Sequence, residues 1–331
     1  MTTKYWVGSD GDLDVNANWY PVGVPEAADV VVFDGRSVTS ISSNLDVWEA
    51  VDLGGITVRS GYTGDIGSSG SAPLVTSTTS GEVYLSGSGS VFLQCGGGAN
   101  ADAVIGTCIV NSAGNVFLSS QANDNTNSAV FTVLRVVRGT VNILGDSEKA
   151  GTYGHGGDAG TAIGTLYVTP YGSATVRVGD KCVNYKGTDA PMSVIMDGGT
   201  LNFHSAANDI QQMGGTLNYG SSTIDMDTND DDITTLTLSG GTFNWVPQNS
   251  GSMSATPTIG NLKVISGTFD GSSMKNTLPG GADPVATTTW QYSGTVNLQN
   301  TYANFDFTTY YQEGGSLLTS PGQELSLEGG A

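Results

Sequence analysis

The sequence predicts an all-β chain: a single-stranded, right-handed parallel β-helix with a cap at its N-terminal end. Three observations lead there. Gly89, Gly114, Gly139 and Gly164 lie 25 residues apart and open the segments GSVFL, GNVFL, GTVNI and GTLYV. A fixed period of ~20–50 residues marks supersecondary units stacked on one another rather than one globular core. Each copy is a glycine followed by alternating β-branched, aromatic and polar residues, which is a strand pattern. It returns as GTLNF from Gly199, GTLNY from Gly215, GTFNW from Gly241, GTFDG from Gly267, GTVNL from Gly294 and GSLLT from Gly315. No stretch keeps apolar residues at helical spacing beyond two turns, so no helix is expected.

The elements follow in chain order. Residues 1–35 differ from the rest: they hold Trp6, Trp19, the turn cluster DGDLDVNAN, Pro21, Pro25 and the apolar run Val30–Phe33. An open solenoid end exposes apolar side chains and unpaired strand groups, so an aromatic-rich first segment reads as a cap. Regular strands are expected from Val38 onward, among them Ile56–Val58, Val83–Leu85, Val91–Leu93, Val116–Leu118, Val130–Val137 and Val141–Leu144. Further strands are expected at Leu166–Val168, Thr175–Val178, Val194–Met196, Leu201–Phe203, Leu217–Tyr219, Leu236–Leu238, Phe243–Trp245, Leu262–Ile265 and Val296–Leu298. The expected organisation is a cap and docking segment at 1–35, a solenoid of about ten rungs at 36–320, and a polar tail at 321–331. Gly89, Gly114, Gly139 and Gly164 should form one column, with Val91, Val116, Val141 and Leu166 pointing inward. The spacing then breaks: 35 residues separate Gly164 from Gly199 and 16 separate Gly199 from Gly215, which puts Gly199 out of phase. Residues 145–160 and 225–232 read as projecting loops.

Composition narrows the function. Glycine fills 48 of 331 positions and charged residues make up 13%, about half the usual ~25%. The net charge is −20 with only 11 Lys and Arg. That leaves no basic footprint for nucleic acid and disfavours anionic membranes and acidic polysaccharides. Cys95, Cys108 and Cys182 are odd in number and form no CxxC pair, so buried free thiols are expected. The first residues show neither a basic nor an apolar leader region, and no run approaches ~18 apolar residues. Synthesis in the cytoplasm without membrane association is the expectation.

Candidate chemistry is sparse. Asp225, Asp227, Asn229 and Asp230 crowd hard oxygen donors that would suit Ca²⁺, although the EF-hand positions for Gly and Glu are missing; a solvated loop is the competing reading. Asp10, Asp12 and Asp14 alternate within a turn and read as Asx chemistry. Paired carboxylates of a glycosidase carry no signature among the 31 acidic residues, and a lyase would need basic groups that are scarce. His155 and His204 lack metal-ligand spacing. No catalytic residue and no cofactor is therefore assigned. Trp48, Trp245, Trp290 and the pair Tyr310-Tyr311 could stack on sugars or fill a core. Trp6 and Trp19 are the candidate docking anchors, because buried aromatics carry much of the energy of interfaces; the alternative is that they only cover the first rung.

YWVG at residues 5–8, NANW at 16–19 and VPEAADVVVFDG at 24–35 resemble the opening of phage virion β-solenoid proteins. They are also similar to the opening of autotransporter-type passenger repeats, and the GGT-[LF]-N units look like the rungs of both. The resemblance carries no catalytic residues. It implies a non-enzymatic phage virion protein, a capsid decoration, cement or head-fibre subunit. The implied partners are the major capsid protein or another virion protein and two sister copies in a homotrimer, since side-by-side packing covers long flat faces. A tail spike or fibre that binds or depolymerises a host surface glycan is the alternative, and a secreted adhesin passenger fragment the second alternative.

Overall fold

The computed structural model describes residues 1–68, 73–96, 103–120, 130–144, 161–170, 174–178, 192–203, 207–219, 233–245, 258–272, 285–299 and 306–320. Parallel strands stack as a β-solenoid. The one helical element among the described residues is a 3-10 turn at Asn16–Asn18. The chain divides into two compact units, Met1–Ala190 and Pro191–Ala331.

In the first unit the strands are β1 (Thr3–Trp6), β2 (Trp19–Tyr20), β3 (Val30–Phe33), β4 (Gly55–Val58), β5 (Leu74–Thr76) and β6 (Thr79–Leu85). They continue with β7 (Val91–Cys95), β8 (Val104–Ser120), β9 (Val130–Ile143), β10 (Ile163–Val168) and β11 (Ala174–Val178). β1 pairs antiparallel with β2 and parallel with β3; every later pairing is parallel. One inward column runs Val31, Ile56, Val83, Cys108, Leu134, Leu166. The other runs Ile41, Ile66, Val91, Val116, Val141, Val176. All of these side chains are buried. Strand alternation requires this, because residues two apart share a face and the inner face of each sheet in a closed coil meets one core.

The second column corrects the expected phase. Gly89, Gly114 and Val91, Val116, Val141 do stack in succession. Leu166, however, pairs with Leu134 on the other column, and Val176 takes the place above Val141. Gly164 belongs with it: a Cβ there would meet the Thr132 carbonyl rather than that of Gly139. The 25-residue spacing continues past Gly139 by coincidence of number, while the chain first completes the opposite sheet.

The second unit contains β12 (Met192–Met196), β13 (Thr200–Phe203), β14 (Ala207–Gln212), β15 (Thr216–Tyr219) and β16 (Ile233–Trp245). It ends with β17 (Thr258–Asp270), β18 (Val285–Gln291), β19 (Thr295–Leu298), β20 (Asp306–Gln312) and β21 (Ser316–Thr319). Val194, Ile210, Leu236, Leu262, Thr289 and Tyr310 form one column. Leu201, Leu217, Phe243, Phe269, Val296 and Leu317 form the other. Gly199 is in phase after all: the Thr216 amide donates to its carbonyl at 3.0 Å, and Thr200 pairs with Thr216. The 16-residue rung is simply a short one.

The second glycine of each GGT turn explains the repeat. Gly241 has φ +73°, and a Cβ there would lie 2.5 Å from the Gly215 carbonyl oxygen. A side chain is excluded both by left-handed backbone and by the rung beneath. At the same corner β16 and β17 bend from one sheet into the next, and their register shifts between Leu238 and Thr242 before pairing resumes.

Candidate functional site

The N-terminal turn forms as its residue types dictate. Asp10 Oδ1 accepts from the Asp12 amide (3.1 Å), and Asp12 Oδ1 accepts from the Asp14 amide (2.9 Å). Asn18 Nδ2 donates to Asp10 Oδ1 at 2.6 Å, and Asn44 Nδ2 donates to Asp12 Oδ1 at 2.7 Å. The bonds from the Asp12 amide and then the Asn18 side chain hold the Asp10 carboxyl below its usual pKa. The carboxylates of Asp10 and Asp12 thus bond the backbone two residues on, as Asx turns do.

Trp6 and Trp19 are 0% and 1% exposed. Their rings lie 5.3 Å apart edge to face, and Trp19 also meets Phe33 at 6.0 Å and Trp48 at 5.7 Å. Trp19 Nε1 donates to the Leu13 carbonyl at 2.9 Å. Neither ring offers a face to a partner in this arrangement. The exposed apolar side chains nearby are Val7, Tyr20, Val22 and Val38. Trp48 and Trp245 are buried as well, so of the two alternatives these rings fill the core rather than stack on sugars.

Cys95 and Cys108 are free and buried. Burial first, offset in part by hydrogen bonding, pushes the Cys95 thiol up to about 12, and burial pushes Cys108 up further. A thiol held protonated is inert as a nucleophile. Cys182, His155, His204 and the proposed Ca²⁺ ligands Asp225, Asp227, Asn229 and Asp230 lie outside the described residues. Among the described residues no group of three or more His, Cys, Asp or Glu could hold a metal ion, and no helix is long and apolar enough to cross a membrane.

Two outward surfaces of the second unit remain. The first carries Thr200, Thr216, Thr242, Thr268 and Thr295 in register, and two residues on, Asn202, Asn218, Asn244, Asp270 and Asn297. Asn218 Nδ2 donates to Asn202 Oδ1 (2.9 Å), Asn244 Nδ2 to Asn218 Oδ1 (2.8 Å), and Asn297 Nδ2 to Asp270 Oδ1 (3.2 Å). Rungs repeat every ~4.8 Å, which lets a carboxamide donate to the copy below and accept from the copy above. The asparagine of the GGT-[LF]-N unit is therefore a ladder residue.

The second surface lies on the sheet before the glycine corner. Its outward column runs Gln211, Thr237, Lys263, Trp290, Tyr311. Trp290 and Tyr311 stack with centroids 6.1 Å apart at 16°, and Lys263 Nζ lies 5.7 Å from the centre of the Trp290 ring. At the corner beside them, Ile265 and Tyr292 follow the paired residues Val264 and Gln291, and Glu313 follows Gln312. Tyr311 is 54% exposed, while Tyr292 and Ile265 are each 45% exposed. Behind this surface, Gln291 Nε2 donates to the carbonyls of Ser316 (3.0 Å) and Gly294 (3.3 Å), and the Tyr310 hydroxyl donates to Gln291 Oε1. Burial pushes the Tyr310 hydroxyl up to about 12. Gln212 plays the same part three rungs earlier, donating to the Thr242 carbonyl at 2.9 Å. These buried amides clip one corner to the next.

Sequence reading singled out Trp290 and Tyr311 but missed Lys263, Ile265 and Tyr292. The signal was available: residues at the same offset before successive corner glycines Gly267, Gly294 and Gly315 must share an outward face. Comparison with known proteins finds no family model, no curated protein and no solved structure that matches this chain.

Proposed function

We propose that the protein is a non-enzymatic structural component of a phage virion, a capsid-decoration, cement or head-fibre subunit. The observation that supports this reading most is the asparagine ladder. The outward polar side chains of successive rungs bond one another, where a catalytic surface would aim them at a substrate. A chain arranged in this way is built to hold a stiff, repetitive surface, and a net charge of −20 keeps that surface soluble. The opening motifs at residues 5–8, 16–19 and 24–35 supply the virion part of the reading through their resemblance. In this proposal residues 1–35 close the solenoid end and dock the subunit on the major capsid protein or another virion protein, with sister copies completing a trimer. Docking then falls to exposed Tyr20 and Val22, since Trp6 and Trp19 are enclosed.

The test is electron microscopy of purified particles labelled with antibody against this chain, together with the protein's mass in solution. Labelling of heads at regular positions and a trimer mass are the expected results. Labelling of tail tips would favour the tail-spike reading instead, for which the exposed aromatic corner speaks. Absence of the chain from particles would overturn the virion assignment.

A further inference from the structure

We propose that the corner built from Lys263, Ile265, Trp290, Tyr292 and Tyr311 is a binding site for a neutral glycan, a chain of uncharged hexopyranose units. The other tryptophans, Trp6, Trp19, Trp48 and Trp245, are all buried, whereas Trp290 stands in an outward column. At this corner three aromatic rings and an isoleucine occupy outward positions on three successive rungs. Rungs lie ~4.8 Å apart and alternate residues on one strand ~6–7 Å apart. The resulting grid has the dimensions of one or two sugar rings. The axial C–H bonds of a pyranose meet an aromatic face favourably, because the face carries the negative part of the ring quadrupole. Hydroxyls need donors and acceptors beside that face. Lys263 supplies a donor: its contact is with the Trp290 ring, and the ion pairs among the described residues both involve Asp34 instead.

Charge selects the ligand. Residues 191–331 contain two basic side chains, Lys263 and Lys275, against 13 Asp and Glu. Acidic polysaccharides and anionic membranes are repelled by such a surface. A cationic partner would meet Lys263 on the first rung of the grid. An uncharged polymer carries neither penalty.

The experiment is affinity electrophoresis of the full chain in native gels containing mannan, dextran or soluble starch, with alginate as the acidic polymer. The expected result is retardation by at least one neutral polysaccharide, little changed by added salt. Tyr292→Ala and Tyr311→Ala should each weaken it about tenfold and Lys263→Ala less. Both tyrosines are largely exposed, so the variants should keep the wild-type far-UV circular dichroism. Passage through all three neutral gels without retardation overturns the proposal. So does retention by alginate alone, or retention that survives the double substitution Tyr292→Ala with Tyr311→Ala. Self-association of the wild type in sedimentation, abolished by that double variant, would assign the corner to a protein interface and overturn it equally. None of these outcomes depends on whether the chain is found in particles.

Discussion

The first unit stacks Gly64, Gly89 and Gly114 at its corner, and the second stacks Gly215, Gly241 and Gly267. In the first unit the reason is space: a Cβ on Gly114 would lie 2.2 Å from the Gly89 carbonyl oxygen, and one on Gly89 would lie 1.9 Å from that of Gly64. In the second unit the corner glycines also need positive φ, +73° at Gly215 and Gly241 and +84° at Gly267. The interiors differ in the same way. The first unit ends in an irregular aromatic cluster of Trp6, Trp19, Phe33, Trp48 and Tyr62 with varied ring angles. The second repeats Phe203, Tyr219, Phe243 and Phe269 as stacked rings on successive rungs. The first arrangement fixes one local cluster; the second carries ring contacts from rung to rung. The same glycine word in the sequence therefore serves two geometries, and among the described residues the asparagine ladder belongs to the second unit.

The largest test of this contrast is Trp19→Ala. It removes a buried ring that touches three other aromatics, and should cost roughly 3–5 kcal/mol, with loss of near-ultraviolet dichroism. A cost below ~1 kcal/mol would show that the cluster is loosely packed. Next is Gly89→Ala, where the new methyl meets backbone that cannot yield; roughly 1–3 kcal/mol of destabilisation is expected. Gly106→Ala is its control, because nothing lies within 4 Å of a Cβ there, and its melting temperature should match the wild type. In the second unit, Asn218→Ala breaks a bond to Asn202 and one from Asn244, at about 1 kcal/mol each, measured by chemical denaturation. A double-mutant cycle with Asn244→Ala should show coupling, since the ladder is shared.

Thr289→Val should act in the opposite direction. Thr289 sits between Leu262 and Tyr310 in an inward column, fully buried, and its hydroxyl has no hydrogen-bond partner. Valine keeps the shape and removes that hydroxyl, so a gain of about 1 kcal/mol is expected. The smallest effect is in alkali. Cys95 is neutral in the fold up to about 12, raised from 9.0, so the unfolded chain ionises first. The stability it contributes is present below pH 9 and is lost as pH rises through 12. Tyr310 behaves likewise from pH 10 toward 12. Melting curves should therefore fall above pH 9, by about 1 kcal/mol per buried thiol within the first pH unit, and Cys95→Ser should make that fall shallower without moving its onset, because the Cys108 thiol is also pushed up by burial.

Local pattern was enough to establish the all-β parallel stack, the strand positions around Val91, Val116, Leu201 and Phe243, and the inward residues of each. A two-residue alternation interrupted by glycine leaves few other ways to bury one face, and that information is contained within each copy. Phase was not available locally. Leu166 and Val176 both continue an alternating strand, and only the path of the chain between them determines which one stacks on Val141. The short rung from Gly199 to Gly215 was hidden for the same reason: a spacing in residues does not say how much chain projects between rungs. The aromatic corner was half visible. Trp290 and Tyr311 stand out by type, but their neighbours Lys263, Ile265 and Tyr292 come together only when rungs 19 to 29 residues apart in the chain are brought ~4.8 Å apart in space. Burial of Trp6, Trp19, Trp48 and Trp245, and exposure of Tyr292, are likewise decided by which side of the coil each residue occupies, a property of the closed turn and not of the residue.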